Sequence, residues 1–174
     1  TRISGLATPL VGVTADDILW EFTSNDDIPN TKEDALLSVT GNVAETVIAA
    51  TSSDGTNAVK LNAVWTPGPS SHFTADTTGR MTYIGVNETP EPIDFAVTIL
   101  MASGGSQQVA AYIALNGTPI ATTGMQLTVS SSAAASVLVI WEHTFVNGDY
   151  VEVFLEGVSS TVNIVGQRSV GRIN

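Results

Sequence analysis

The last third of the chain, residues 107–173, is a succession of short apolar runs, and this pattern constrains the fold more than any other feature. The turn dipeptides Asn116-Gly117 and Asn147-Gly148 separate neighbouring runs. Asparagine followed by glycine supplies the positive φ angles that a two-residue hairpin turn requires. Apolar runs of strand length joined by such turns predict an antiparallel β-sandwich.

The same pattern of apolar runs and turn signals begins at about residue 36. The clearest of these runs fall at 43–50, 58–65, 79–85 and 93–101. Asp54-Gly55 lies between the first two and predicts a hairpin there. We expect about eight to ten strands and find no alternation of strand and helix patterns, so the sequence predicts an all-β, antiparallel sandwich or jelly roll.

Composition sets the size and excludes several classes of partner. A chain of 174 residues, 43% of them hydrophobic, can bury a core as one domain, and the absence of cysteine excludes disulfides. The formal charge of −11 argues against nucleic acid and anionic membranes as partners. Only 13% of residues are charged, so much of the surface is small and polar or is covered by neighbouring molecules.

Residues 1–35 form a separate, acidic N-terminal arm in this interpretation, and residues 36–174 form the β-domain. Seven carboxylates precede residue 35, against the two basic residues Arg2 and Lys32. The segment from Thr14 to Phe22 has the spacing of one short helix with Thr14 as its N-cap. An extended arm laid across a neighbouring subunit explains the same segment, and both alternatives stay open.

Side chains that could carry catalysis are few. His72 and His143 are the only histidines, and neither lies in a metal-binding or hydrolase motif. We therefore predict no enzyme, no catalytic residues, no cofactor and no metal. Asp26, Asp27 and Asn30, with Asp34, keep calcium open as an alternative in segment 24–34, although the ligand order of an EF-hand is missing.

The strand 149–156 has two faces of different character. Alternation along a strand places Val151, Val153 and Leu155 on one side, which we assign to the core. The opposite side carries Tyr150, Glu152, Phe154 and Glu156. Aromatic residues on an outward face favour contact with another subunit, and a singly exposed Phe154 is the alternative.

Several segments from residue 70 onward resemble the C1q/TNF-like jelly-roll family. They are Gly79-Arg-Met-Thr-Tyr-Ile-Gly85, Phe95-Ala-Val-Thr-Ile99, Ala111-Tyr-Ile-Ala-Leu-Asn-Gly-Thr118, Trp141 and Asn147-Gly-Asp-Tyr-Val-Glu-Val153. The resemblance implies a two-sheet jelly roll that assembles as a homotrimer. It further implies that Tyr112, Phe154 and Tyr150 lie at the trimer interface.

Similar domains occur in bacteriophage virions, and this resemblance implies a structural role for the chain. A short arm before the domain fits a capsid decoration (cement) protein on the outer surface of the virion, with the major capsid protein as its partner. Ile18, Trp20 and Phe22 are then the expected capsid contacts. The alternatives are the receptor- or carbohydrate-binding head of a viral fibre and a secreted C1q/TNF-like binding module. Trp65 beside Pro67 would then mark a ligand loop, unless it simply packs in the core.

Overall fold

The structure, a computed structural model, describes residues 35–39, 45–86 and 90–173, which all belong to the compact unit Lys32–Asn174. Within these ranges the chain forms fourteen strands and one 3₁₀ turn, Ala121–Thr123. The strands are β1 (Ala35–Ser38), β2 (Glu45–Ile48), β3 (Val59–Lys60), β4 (Thr66–Ser70), β5 (Phe73–Ala75), β6 (Met81–Tyr83), β7 (Pro90–Met101), β8 (Gln107–Leu115), β9 (Thr118–Pro119), β10 (Met125–Val129), β11 (Ala135–Thr144), β12 (Tyr150–Gly157), β13 (Val162–Gly166) and β14 (Val170–Ile173). The predictions for the N-terminal arm, its contact residues and its calcium alternative fall on residues outside the described ranges.

The strands form two sheets, which we name sheet A and sheet B. Sheet A has the order β2-β13-β7-β14-β1-β4, with β11 paired along the other side of β7. Sheet B has the order β10-β8-β12-β6-β5, with β3 added beside β12 and β9 beside β8. The pairings between the named strands are antiparallel. The predicted all-β, two-sheet antiparallel sandwich is confirmed.

The connections between strands make this sandwich a jelly roll. The chain leaves sheet A after β7, forms β8 and β10 in sheet B, returns to sheet A as β11, and crosses again for β12 and for β13. Long-range pairings such as β12 with β8 therefore hold together segments distant in sequence. The predicted jelly roll is likewise confirmed.

The core lies between the sheets and is supplied by alternate residues of each strand. Val151, Val153 and Leu155 of β12 point inward as predicted, opposite Phe95 and Ile99 of β7. A second cluster of rings closes one end of the core, with Phe145 edge-on to Phe73 and 5.8 Å from Tyr83 between ring centroids. Burial of such side chains contributes about 25 cal/mol per Å² of apolar area removed from water.

The predicted hairpin at Asp54-Gly55 is wrong. β2 pairs with β13 in sheet A, whereas β3 pairs with β12 in sheet B, so residues 51–58 connect the two sheets. Gly55 does adopt the positive φ of 86° that its position in a turn suggested. Backbone N–H groups of this segment donate to a buried carboxylate of sheet B, described below. They do not form the hydrogen bonds of a two-stranded hairpin.

Replacing Gly79 with alanine is expected to destabilise the fold by about 3 kcal/mol, because strain and overlap act together. Gly79 has a φ of 86°, and an added Cβ would lie 2.3 Å from Nε1 of the buried Trp65. Gly148→Ala isolates the backbone strain, since its φ is 95° and no atom lies within 4 Å of the added Cβ. Gly105→Ala has neither problem and is the neutral control. Urea unfolding of the three variants checks this, and equal losses for Gly79 and Gly148 would contradict the overlap.

Candidate functional site

The two sheets differ in how their outer faces are covered. On sheet B, the outward side chains of β8 and β12 include the buried Ala110, Tyr112, Ala114 and Glu156. The Tyr112 ring lies between Gly55 and Gly124, and a Cβ on Gly124 would come within 2.4 Å of it. The chain therefore covers this face with its own loops.

Glu156 binds the loop 51–58 to the outer face of sheet B. Its carboxylate is fully buried and accepts hydrogen bonds from the Gly55 N–H at 2.9 Å and the Asn57 N–H at 3.0 Å. The Tyr112 hydroxyl donates to it at 3.0 Å, and the Ser52 hydroxyl donates to its other oxygen. Burial, followed by the hydrogen bond to Glu156, raises the pKa of Tyr112 above its ordinary value. The hydroxyl therefore stays a donor at physiological pH.

Glu152 is the second buried carboxylate on this face and has two basic partners. Its Oε1 lies 2.5 Å from Lys60 Nζ and 3.2 Å from Arg80 Nε. The Arg80 guanidinium also lies 3.8 Å from the centroid of the Tyr150 ring, a cation–π arrangement. Two cations therefore pair with the carboxylate that strand alternation placed on the outward face of β12.

These contacts locate the three residues predicted for the trimer interface. Tyr112 is buried inside its own protomer, where its hydroxyl donates to Glu156. Its predicted role at a trimer interface is not tested by this contact. Phe154 stands opposite Tyr112 and Lys60 in the sheet and is partly exposed. Tyr150 is partly covered by Arg80. An interface role for Phe154 and Tyr150 stays a prediction.

The outer face of sheet A, by contrast, is open and apolar. Leu138 and Ile140 of β11 are 54% and 66% exposed, and Val47 of β2 is 60% exposed. Strand alternation sends Val139 and Trp141 of the same strand toward the core. Because β11 is apolar on both sides, its outward residues suit a face that another surface covers.

Cross-strand register shows how this face is arranged. Leu138 stands opposite Ala96, which stands opposite Val170 on its other side, so one row across the face is apolar. In the next row Ile140 stands opposite Asp94, which stands opposite Arg172. Opposite charges facing each other across strands are mutually stabilising. The face therefore combines an apolar strip with one facing pair of opposite charges, and Glu142 adds an exposed carboxylate on the same side of β11.

Sequence reasoning identified β11 as a strand but did not identify its outward residues as a surface. The segment Val137-Leu-Val-Ile-Trp141 contains no polar residue at either parity, and that is the signal that could have revealed it. A strand with one solvent face normally alternates apolar and polar residues. Trp65, proposed for a ligand loop, is buried and edge-on to Phe95, so the alternative that it packs in the core is correct.

One end of the sandwich carries a second exposed apolar group, which we call the apolar tip: Ile84, Val86 and Val146. These side chains are 49%, 87% and 46% exposed. The two loops that bear them are joined, since Asn147 Nδ2 donates to the Gly85 carbonyl at 3.1 Å and the Gly148 N–H donates to the Tyr83 carbonyl at 2.9 Å. These hydrogen bonds join the two loops at the positions next to Ile84 and Val146.

Asp149 organises the same end of the molecule. It accepts hydrogen bonds from Asn116 Nδ2 at 2.8 Å and from the Val146 N–H at 3.1 Å, and it lies 3.6 Å from His143 Nε2. Burial alone would raise the pKa of Asp149, but these hydrogen bonds and the nearby His143 outweigh it and hold the pKa below its ordinary value. His143 also stacks on Trp141, with 4.6 Å between the ring centroids.

Acid is expected to weaken the fold through Asp149. Because its pKa is lower in the folded state, Asp149 stabilises the fold above its unfolded pKa of about 3.9, and that stability is lost as the pH falls through the folded value. Asp149→Asn should therefore flatten the decline in unfolding free energy below about pH 4. Urea unfolding between pH 2 and 6 measures this. An unchanged pH profile in the variant would show that other carboxylates cause the decline.

The described part of the chain contains no cluster of three His, Cys, Asp or Glu side chains able to hold a metal ion. No helix within it is long and apolar enough to cross a membrane. At the end of the sandwich near residues 102–106, an open cleft of about 570 Å³ lies between segments 47–49, 101–107 and 161–163. Its lining includes Gln107 and Asn163 together with Met101.

Comparison with known proteins finds no matching family model and no matching curated protein. Among solved structures, a TNF-family Eiger protein from S. frugiperda is 12% identical, with 82% of this chain and 92% of that chain covered, at a TM-score of 0.47. Murine APRIL is 10% identical, with 80% and 98% covered, at a TM-score of 0.46. The globular domain of zebrafish complement 1qA protein is 13% identical, with 80% and 95% covered, at 0.39. The fold assignment rests on the strand pairings of this chain itself.

Proposed function

We propose that this chain is a structural protein that assembles as a homotrimer through the outer face of sheet A. The observation that carries the proposal is the exposure of Leu138, Ile140 and Val47 on a face whose remaining outward residues are mostly small or apolar. Sheet B is covered by its own loops, so the open face of the jelly roll is on sheet A. Burying such a face between copies removes apolar area from water.

We further propose that the trimer decorates a viral capsid, with the major capsid protein as its partner at the outer surface of the virion. The low charge density, with 13% charged residues, suits a protein whose surface is shared with neighbours. The segment before β1 adds 34 residues with Ile18, Trp20 and Phe22 as candidate contacts. In this role the protein stabilises the shell by buried area, not by chemistry on a bound substrate.

A second candidate is a binding module for a carbohydrate or a cell receptor, as in a fibre head or a secreted domain. The open cleft of about 570 Å³ beside Gln107 and Asn163 favours it. An amide side chain can both donate a hydrogen bond to a hydroxyl group and accept one from it. Both side chains already have partners, Ser159 for Gln107 and Glu45 for Asn163. We therefore rank this function second.

Two measurements test the proposal. Light scattering of the purified chain should give the mass of three chains of 18.1 kDa, and a monomer at micromolar concentration would refute the assembly. Cosedimentation with empty shells of the source virus should then pull down the trimer. Binding to glycans or cells without binding to shells would replace decoration with the second candidate.

A further inference from the structure

β11 is an edge strand of sheet A that lacks the features by which proteins protect such edges. It pairs with β7 over ten consecutive residue pairs, from Ala135 to Thr144, without a register shift. No strand of the described ranges pairs along its other side. The edge strand β4, by contrast, contains Pro67 and Pro69 and pairs with β1 through a register shift. Prolines, lysines and irregular pairing keep an edge from accepting another chain, and β11 has none of them.

The hydrogen bonds of β7 show which backbone groups of β11 face its open side. Thr98 accepts the bond partner of its N–H, Ser169 Oγ at 3.1 Å, from the connection between β13 and β14, on the side of β7 away from β11. Opposite residues of an antiparallel pair either face each other or face away together, in alternation. Ser136, Leu138 and Ile140 therefore direct their N–H and carbonyl groups away from β7. No backbone hydrogen bond among the described residues reaches them there.

This open edge is complementary to a second copy of itself. Antiparallel pairing of two β11 strands about Leu138 places Leu138 opposite Leu138, and Ser136 opposite Ile140 in both directions. All three residues direct their backbone groups to the open side. The three residue pairs can therefore exchange six backbone hydrogen bonds.

Side chains and charge agree with this register. Segment 135–141 is uncharged and is centred on Leu138. On its inward side Val137 stands opposite Val139 of the copy, and β-branched residues suit such cross-strand pairs. Glu142, the nearest charged residue, lies beyond the paired segment, so no like charges face each other across it.

We infer that the open edge of β11 binds the β11 edge of a second copy of this chain, joining sheet A of both copies into one antiparallel sheet. The inference goes beyond the proposed homotrimer, because it uses backbone groups at the edge of sheet A and not side chains on its outer face. Seven residues of strand span about 23 Å, so at a depth of about 10 Å the contact covers roughly 230 Å² per partner. A standard interface covers about 800 Å² per partner. We therefore expect a weak association that increases with protein concentration.

Cysteine cross-linking tests the register, since the chain has no cysteine of its own. Leu138→Cys should form a disulfide-linked pair of chains in the presence of diamide, because opposite residues of antiparallel strands lie within the Cα distance that a disulfide spans. Ser136→Cys and Ile140→Cys should each stay unlinked alone and should form linked pairs when mixed. Val64→Cys is the control for random collision, since Val64 is 67% exposed and lies outside sheet A.

Ser136→Pro tests the backbone contribution. It removes an N–H that faces the open edge and none that faces β7, so the pairing with β7 should remain. Sedimentation at increasing protein concentration should show an association at least about tenfold weaker than that of Ser136→Ala, which loses the same hydroxyl but keeps the N–H. Far-UV circular dichroism verifies the β-fold of both variants.

The outcomes separate edge pairing from the homotrimer. The expected cross-linking pattern, with a weaker association of Ser136→Pro, supports edge pairing. It is overturned if Leu138→Cys links no more readily than Val64→Cys, or if Ser136→Pro associates as well as Ser136→Ala. A trimer that shows no such links leaves the outer-face proposal intact. Linked pairs from a chain that is otherwise monomeric support edge pairing and refute the homotrimer.

Discussion

In the proposed homotrimer, Ile140→Asp is expected to convert the assembly into monomers that keep the fold. The side chain is 66% exposed in one protomer, so the substitution costs little in the isolated fold. In the assembly it replaces about 2 to 3 kcal/mol of apolar burial with a buried carboxylate beside Asp94. Since about 1.4 kcal/mol is tenfold, we expect each subunit contact to weaken on the order of 100-fold or more.

Analytical ultracentrifugation over a range of concentrations measures the loss, and far-UV circular dichroism verifies the β-fold. Val64→Asp adds the same charge at a similarly exposed valine outside sheet A and should remain trimeric. Phe154→Asp tests the interface that alternation in β12 predicted. If Phe154→Asp dissociates the trimer and Ile140→Asp leaves it intact, the interface lies on sheet B. That result would refute the interface proposed on sheet A.

The fold could be predicted because its signals are local. Asn116 and Gly117 have φ angles of 51° and 77°, as the Asn-Gly hairpin rule requires. At Asn147-Gly148 only the glycine has a positive φ, yet the turn still connects β11 to β12. Alternation along β12 likewise assigned Val151, Val153 and Leu155 to the core. Each of these inferences needs only a few neighbouring residues.

The open face could not be predicted because it depends on which segments cover each sheet. Alternation placed Glu156 on the outward side of β12, but its donors come from Gly55 and Asn57, about a hundred residues earlier. The local sequence of a strand is the same whether its outward carboxylate is solvated or accepts hydrogen bonds from a distant loop. Sequence reasoning therefore could not tell that loop 51–58 covers Glu156, nor that Leu138 and Ile140 are exposed on sheet A.

Glu156→Gln is expected to lower the free energy of unfolding by about 3 kcal/mol. The wild-type carboxylate accepts from two backbone amides and two hydroxyls and donates nothing. In glutamine an NH₂ group replaces one of the two oxygens. Because both oxygens accept hydrogen bonds in the wild type, the NH₂ group faces donors whichever oxygen it replaces. Buried donors then lose their acceptor, and the loop 51–58 must move to solvate them.

Urea unfolding of Glu156→Gln against Glu142→Gln, an exposed glutamate of β11, gives the comparison, with less than about 0.5 kcal/mol expected for the control. Ser52→Ala removes only one donor to Glu156 and should lower the free energy of unfolding by about 1 kcal/mol. The loss in Ser52→Ala should therefore be smaller than the loss in Glu156→Gln. Hydrogen exchange adds local evidence, because the Gly55 and Asn57 amides should exchange faster in Glu156→Gln than in the wild type. If both amides keep wild-type protection, Glu156 does not hold the loop, and the outer face of sheet B must be covered for another reason.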